Sequence, residues 1–313
     1  MRPTSHKSAI GNPTIYMFGD THGIMDIDKI FSINKSYTKD DFVIICGDFG
    51  VLWSDEVDSN EAILIKEFKK LPCTILFIDG NHENFNRLEN LRTIKRFGGS
   101  VGEYIKDKAY HLKRGEIYQI AGRNVFTMGG AMSVDKDFRE PNISWWEAEN
   151  ITPAQIKYAL QNLANFKDKI DIVITHTCPN SFLPHISKHL LLEFKLLVPD
   201  DNSVWLELLA QKLALKQSGK IEWFFGHWHG DFDFCVEIQN ADYENLDSRN
   251  ADKTKGANNV DRAKSVKNAD SDKSGDNAAD FSENLGLQIN AHCLYDEVYC
   301  VRNEQDKVKS MFG

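Results

Sequence analysis

The sequence predicts an α/β fold built on a parallel sheet, and two observations carry that prediction. Five short apolar runs each end in a sharp Gly or Thr turn followed by polar side chains: TIYMFGDTHG (14–23), FVIICGDFG (42–50), TILFIDGNHE (74–83), DIVITHTCP (171–179) and IEWFFGHWHG (221–230). Each run is too short for a globular helix and long enough for a strand buried on both faces. Between the second and third runs, 60–71 (NEAILIKEFKKL) places apolar residues at helical spacing and stops at Pro72. That is a strand–helix–strand crossover, which implies parallel neighbours.

The remaining elements follow in order. In 116–130, EIYQI and VFTMGG flank an AGRN turn and read as a hairpin. Thr152 and Pro153 suit the N-cap and first turn of a helix over 154–166. A further helix is expected over 203–217, ended by Gly219. Residues 241–284 are rich in Asn, Asp, Lys, Ser and Ala and nearly free of large apolar side chains, with Asn-Ala-Asp recurring at 250 and 268. Such a stretch cannot bury enough surface to offset its ordering entropy, so it reads as a disordered, low-complexity insertion. After it, LGLQINAHCLYDEVYCV resumes strand character. The expected organisation is one domain, 1–240 with 285–313, interrupted by 241–284.

Composition bounds the function. The chain has 313 residues, 42% hydrophobic with six Trp, enough for a sizeable core. Its net charge of −9 supplies no general basic field for nucleic acid, although a local patch would escape that count. The six cysteines are dispersed with no CxxC pair, which fits a reducing compartment better than a disulfide framework. The first residues lack an apolar signal-peptide core, and no stretch approaches the roughly 18 apolar residues of a membrane span. A cytoplasmic protein without membrane partners is expected.

Ligands of open α/β sheets gather at the carboxyl ends of the strands. The five runs would therefore deliver Asp20, His22, Asp48, Asn81, His82, His176, His227 and His229 to one edge. That donor set is too large for one ion and reads as a two-metal hydrolytic centre. Asp20 and His22, two apart, would point the same way on an extended segment and share an ion. Asp48 could give one oxygen to each ion, Asn81 offers a neutral oxygen, and the remaining histidines complete the shell. Mixed imidazole and carboxylate donors suit Mn, Fe or Zn, not calcium. A lone Asp-x-His or His-x-His would carry little weight. The five together carry a great deal.

In this order, GDTHG, GD, GNHE, TH and GHWH resemble the calcineurin-like metallophosphoesterase superfamily over roughly 15–230. The resemblance implies an α+β sandwich, two mixed β-sheets packed face to face and flanked by helices. It further implies that Asp20, His22, Asp48 and His229 hold one divalent ion, and that Asp48, Asn81, His176 and His227 hold a second, with Asp48 bridging. His82 would protonate the leaving oxygen rather than ligate. Two cations about 3.5–4 Å apart lower the pKa of a bridging water and neutralise phosphate charge, and the resulting hydroxide attacks phosphorus in line. A histidine titrating near neutrality can supply the leaving-group proton.

The chain departs from the protein Ser/Thr phosphatase branch, where GDxVDRG follows the second strand. Here the segment is GDFGVLW, with Val51 and Leu52 in place of that Asp and Arg. Asp55, Glu56 and Glu83 are the carboxylates considered for orienting His82. The segment GGAMSVDKDFREPNISWWEAE (129–149) resembles one in bacterial and phage-type stand-alone phosphoesterases. Within it, Arg139 could grip a substrate phosphate through its fork or pair with a surface acid, and Trp145 and Trp146 could stack on a base or straddle a core edge. His185 and His189 read as bordering the cleft, since Ile186 stands where a zinc protease needs Glu. His6, His111 and His292 show no partner pattern. The sequence reading is thus a dinuclear phosphoesterase acting on a phosphomonoester or phosphodiester, with a small phosphoester or nucleotide as partner. A nuclease is the alternative, disfavoured by net charge, and a non-catalytic binding module of the same fold is the third reading.

Overall fold

A computed structural model describes residues 12–191, 197, 199–238 and 286–302. The low-complexity segment 241–284 and His6 lie outside the described residues.

In chain order the strands are β1 (Ile15–Phe18), β2 (Phe42–Ile45), β3 (Thr74–Phe77), β4 (Arg92–Arg96), β5 (Gly99–Ile105), β6 (Ala109–Leu112), β7 (Ile117–Ile120) and β8 (Arg123–Met128). They continue as β9 (Ile172–Thr175), β10 (Gly219–Phe225), β11 (Phe232–Ile238), β12 (Leu287–Cys293) and β13 (Tyr299–Val301). The α-helices are α1 (Asp28–Ser32), α2 (Ser59–Lys70), α3 (Phe85–Glu89), α4 (Pro153–Asn165), α5 (Leu183–His189) and α6 (Asp201–Lys216).

The strands form two sheets rather than one, a seven-stranded β13-β1-β2-β3-β6-β5-β4 and a six-stranded β11-β12-β10-β9-β8-β7. Both are mixed. β1, β2, β3 and β6 are parallel, as are β8, β9, β10 and β12, while β13, β4, β5, β7 and β11 run against their neighbours. The apolar runs reflect this layering. Ile15 and Met17 of β1 enter the core between the sheets, together with Ile44, Leu76, Ile172 and Phe224. Tyr16 and Phe18 enter a second core with Ile30, Leu64, Phe68 and Leu88 from the helices over the first sheet. Val173, Trp223 and Phe225 face α4, α5 and α6 through Ile156, Leu163, Ile186, Leu206 and Leu213. A strand in the middle of such a sandwich meets apolar atoms on both faces, so its alternation disappears from the sequence.

The helix and hairpin expectations agree with the structure. Asp58 caps α2 by accepting from the Glu61 N–H, and Thr152 with Gln155 makes a capping box on α4. β7 and β8 form the hairpin. α6 is ended at Gln217, and Gly219 instead opens β10 with φ of 102°. All six cysteines are unpaired. Among the described residues no helix is long and apolar enough to cross a membrane.

Candidate metal centre

Every sequence-selected residue but Arg139 sits just past the carboxyl end of a parallel strand: β1 leads to Asp20 and His22, β2 to Asp48, β3 to Asn81 and His82, β9 to His176, and β10 to His227 and His229. The loops are tied within each sheet and, through His227 and Asp20, across the two. The N–H groups of Thr21 and His22 donate to Asp48 O at 3.0 and 2.9 Å, and Gly226 N–H donates to His176 O. His227 N–H donates to Asp20 Oδ1 at 2.9 Å. A Cβ on Gly80 would collide with Asp48 Oδ1, and one on Gly226 with Asp20 Oδ1, so only glycine admits the carboxylates at these two points.

The reason the donors converge differs from the sequence expectation. Asp20 and His22 are not on an extended segment: β1 ends at Phe18, and His22 takes φ of 43°. Asp48, His227 and His229 likewise take φ of 48, 68 and 48°. Left-handed backbone at four of the chosen side chains is strain concentrated where chemistry is expected. The turns also separate His229 from His227. His229 Nε2 lies 3.0 Å from Asp20 Oδ2, whereas His227 Nδ1 lies 3.1 Å from Asn81 Oδ1.

Asp48 stands between the two groups. Its Oδ1 accepts from the N–H of Asn81 and His82 at 2.8 and 2.7 Å and lies 3.3 Å from His176 Nε2. Its Oδ2 is 3.7 Å from His22 Nε2 and 3.9 Å from His82 Nε2. Ligand atoms of Asp20, His22 and His229, of Asp20, Asp48 and His176, and of His22, Asp48 and His82 each lie within 4.8 Å of one another. Asp20 and Asp48 are fully buried or nearly so.

The chemistry of this donor set fits bound cations. His176 Nδ1 is 2.8 Å from Cys46 O, an acceptor, so that nitrogen carries the proton. Its Nε2 then faces Asp48 Oδ1 and, at 3.2 Å, Asn81 Oδ1, which are acceptors too. Lone pairs converging on one point need a positive charge between them. Burial opposes charging of His176, but Asp48 and Asp20 push its pKa up to about 10. Burial raises the Asp48 carboxyl, yet His176 and His22 outweigh it and hold the group well below the usual carboxylate range. His227 is pushed down to about 4 by burial and by the neighbouring His176.

His82 and Arg139 form one flank. The guanidinium nitrogens lie 3.2 Å from both ring nitrogens of His82, while Arg139 Nε pairs with Asp135 at 2.8 Å. The Trp53 ring lies 6.0 Å from the imidazole. Burial, then Arg139, lowers the His82 pKa against the pull of Asp48. Two of the three carboxylates considered for orienting His82 do other work. Asp55 accepts from Asn84 Nδ2, and Glu83 Oε1 accepts from Phe49 N–H at 2.9 Å. Burial, with Asp48 and Asp79 adding, raises the Glu83 carboxyl well above its usual range. Trp146 is buried in the core against Trp53, so it cannot stack on a substrate. His185 and His189 stack on Phe234 and Phe232 of β11.

Three buried polar groups escaped the sequence reading. Asp79, one residue before Gly80, pairs with Arg114 at 2.6 Å and with His111 Nε2 at 2.9 Å. Ser133 and Glu149, both inside the 129–149 segment, hydrogen-bond to each other. On the second sheet His292 is buried between Glu222 and Asp233, at 2.8 and 2.7 Å. No local spacing announces such pairs, because each partner comes from a distant part of the chain.

A family model described as calcineurin-like phosphoesterase matches residues 13–231. Lariat debranching enzyme A of Xenopus laevis is 25% identical over 248 residues, covering 71% of this chain and 44% of that protein. The lariat debranching enzyme of Danio rerio is 27% identical over 239 residues, covering 68% of this chain and 40% of that protein. That of Drosophila pseudoobscura pseudoobscura is 27% identical over 244 residues, covering 71% and 44%. The chain thus matches less than half the length of these curated relatives.

Proposed function

Because this chain belongs to the calcineurin-like phosphoesterase family, we propose that it hydrolyses a phosphodiester with two divalent cations, Mn, Fe or Zn, held at the strand ends. The observation that carries the reading is the convergence of acceptor atoms from both sheets on the buried carboxylates of Asp20 and Asp48. Asp20, His22, Asp48 and His229 would hold one ion, and Asp48, Asn81, His176 and His227 the other. The ions would supply Lewis acidity and neutralise phosphate charge.

The protein's own groups do the rest. One Asp48 oxygen faces His176 and the other His22 and His82, so the carboxylate could contribute to both ions. His82 shares a three-donor group with His22 and Asp48, and both its ring nitrogens lie 3.2 Å from the Arg139 fork, which can donate only to the one that carries no proton. We therefore keep it as the proton donor to the leaving oxygen. A phosphate entering here would give the guanidinium an anion to bind bidentately and, by its negative charge, favour the imidazolium that must donate. Arg139 thus serves as the phosphate grip.

Diester rather than monoester is chosen because the lariat debranching relatives are named for cutting branched chains. Those names also strengthen nucleic acid as the substrate class, against the net-charge argument. The test is turnover of bis-p-nitrophenyl phosphate, p-nitrophenyl phosphate and a labelled lariat with Mn²⁺. Diester or lariat turnover above that of the monoester is expected. Inertness toward all three with every divalent metal would favour the binding-module reading.

A further inference from the structure

The part of 129–149 that the reaction leaves unexplained lies beside Asn81. Asn81 Nδ2 donates to Ser133 Oγ at 3.2 Å. Ser133 in turn gives both of its protons to Glu149, the N–H to Oε1 at 2.7 Å and the hydroxyl to Oε2 at 2.7 Å. Ser133, Glu149 and Asn81 are all buried. Arg114 fixes the frame: it donates to Glu149 O and Ala148 O at 3.0 Å and pairs with Asp79 two residues before Asn81. Gly130 N–H closes the loop onto Asp79 O at 2.9 Å.

An asparagine amide can face a cluster with either its oxygen or its nitrogen, and only the oxygen is a ligand. A carboxylate offers acceptors alone. The Ser133 hydroxyl proton is therefore committed to Glu149, and its oxygen has only lone pairs left for Asn81. Asn81 must answer with N–H, which turns Oδ1 toward His176 Nε2 and His227 Nδ1 at 3.2 and 3.1 Å. We propose that Ser133 and Glu149 are positioning residues that set the polarity of the Asn81 amide and thereby make it a metal ligand. The proposal rests on the two-ion reading of the site. It assigns the GGAMS…E pattern a role in ion affinity through Asn81, apart from the role of Arg139 at His82.

Manganese titration calorimetry on the full chain tests it, with thermal melting of the metal-free protein as the folding control. Wild type should bind two Mn²⁺ per chain. Ser133→Ala should weaken one of the two by about 10- to 100-fold, the scale of outer partners of metal ligands, and leave the other unchanged. Ser133→Thr, which keeps the hydroxyl and the N–H, should retain wild-type affinity. Glu149→Gln should weaken the same ion at least as much as Ser133→Ala, because its amide can donate to Ser133 Oγ and turn the hydroxyl onto Asn81. The decisive arm is Asn81→Asp, since an aspartate presents oxygen in either orientation. Adding Ser133→Ala in that background should cost no further affinity. An equal loss in both backgrounds, or wild-type affinity for both ions in Ser133→Ala, would overturn the proposal while leaving the two-ion site standing. Wild-type protein that takes up no Mn²⁺ would overturn the site reading and this proposal together.

Discussion

Arg114 and Arg139 invite comparison, since both bear on the Asp79–His82 loop and both are largely buried, with 6% and 14% of the side chain exposed. Exposure does not separate them; their partners do. Arg114 spends its donors on groups that never change: the Asp79 carboxylate, Gln155 Oε1, and the carbonyls of Ala148, Glu149 and Asn150. Arg139 turns two nitrogens toward an imidazole that carries no permanent negative charge, and among the described residues it is steadied by Asp135 and Ser144 O. The first guanidinium is a bracket. The second keeps its fork available for an incoming anion.

The largest effect that bears on this contrast is expected at His82, the group Arg139 faces. His82→Ala should lower turnover of an alkyl diester by about 10²–10⁴, the range for a general acid, with metal content near normal. The loss should shrink on p-nitrophenyl esters, whose leaving group needs no proton. Loss of both ions in this variant would mean that His82 is a ligand instead. Next comes Arg114→Ala, which strands a buried carboxylate. A drop of about 3–5 kcal/mol in unfolding free energy by urea denaturation is expected. Arg139→Ala should show the opposite profile. It should lose roughly 10- to 100-fold in kcat/KM, as one charge-assisted contact to phosphate is worth, while stability falls less than in Arg114→Ala, because the carboxylate left behind, Asp135, is about half exposed and stays solvated. If stability tracked Arg139 and turnover ignored it, the contrast would collapse.

The smallest effect is a pH slope. Burial raises the Asp79 carboxyl, but Arg114 and His111 prevail and hold it well below the usual range. A group depressed in the native state contributes stability above its unfolded value, about pH 4, and loses that contribution as the pH falls toward the native one. Urea midpoints measured between pH 6 and pH 3 should therefore fall less steeply in Asp79→Asn than in wild type. Identical slopes would remove Asp79 from the acid-sensitive set.

The legible part of the molecule was what a short window can hold. A buried strand followed by Gly-Asp or Gly-Asn-His is a local pattern, and it located Asp20, Asp48, Asn81 and the histidines. Alternation gave the wrong reason for Asp20 and His22, because left-handed residues leave no mark in composition. The second sheet had to come from family resemblance. In the first sheet, Arg92–Arg96 is largely exposed and highly charged, and Ile94 is its one apolar residue. Asp79 with Arg114, and Ser133 with Glu149, were illegible for a different reason: each is an ordinary polar residue until the fold buries it beside its partner. Of the two roles the sequence left open for the Trp145–Trp146 pair, stacking or a core edge, Trp146 takes the second.

Ile238 and Leu287 stand opposite each other where β11 meets β12, although 239–286 separate them along the chain. The ladder therefore fixes where the connection between these two strands begins and where it ends. Lengthening such a closed excursion costs only about 0.6 kcal/mol per doubling. This junction is therefore a natural splice point. A reporter domain grafted there, or a short turn substituted for the whole excursion, should leave phosphoester turnover intact.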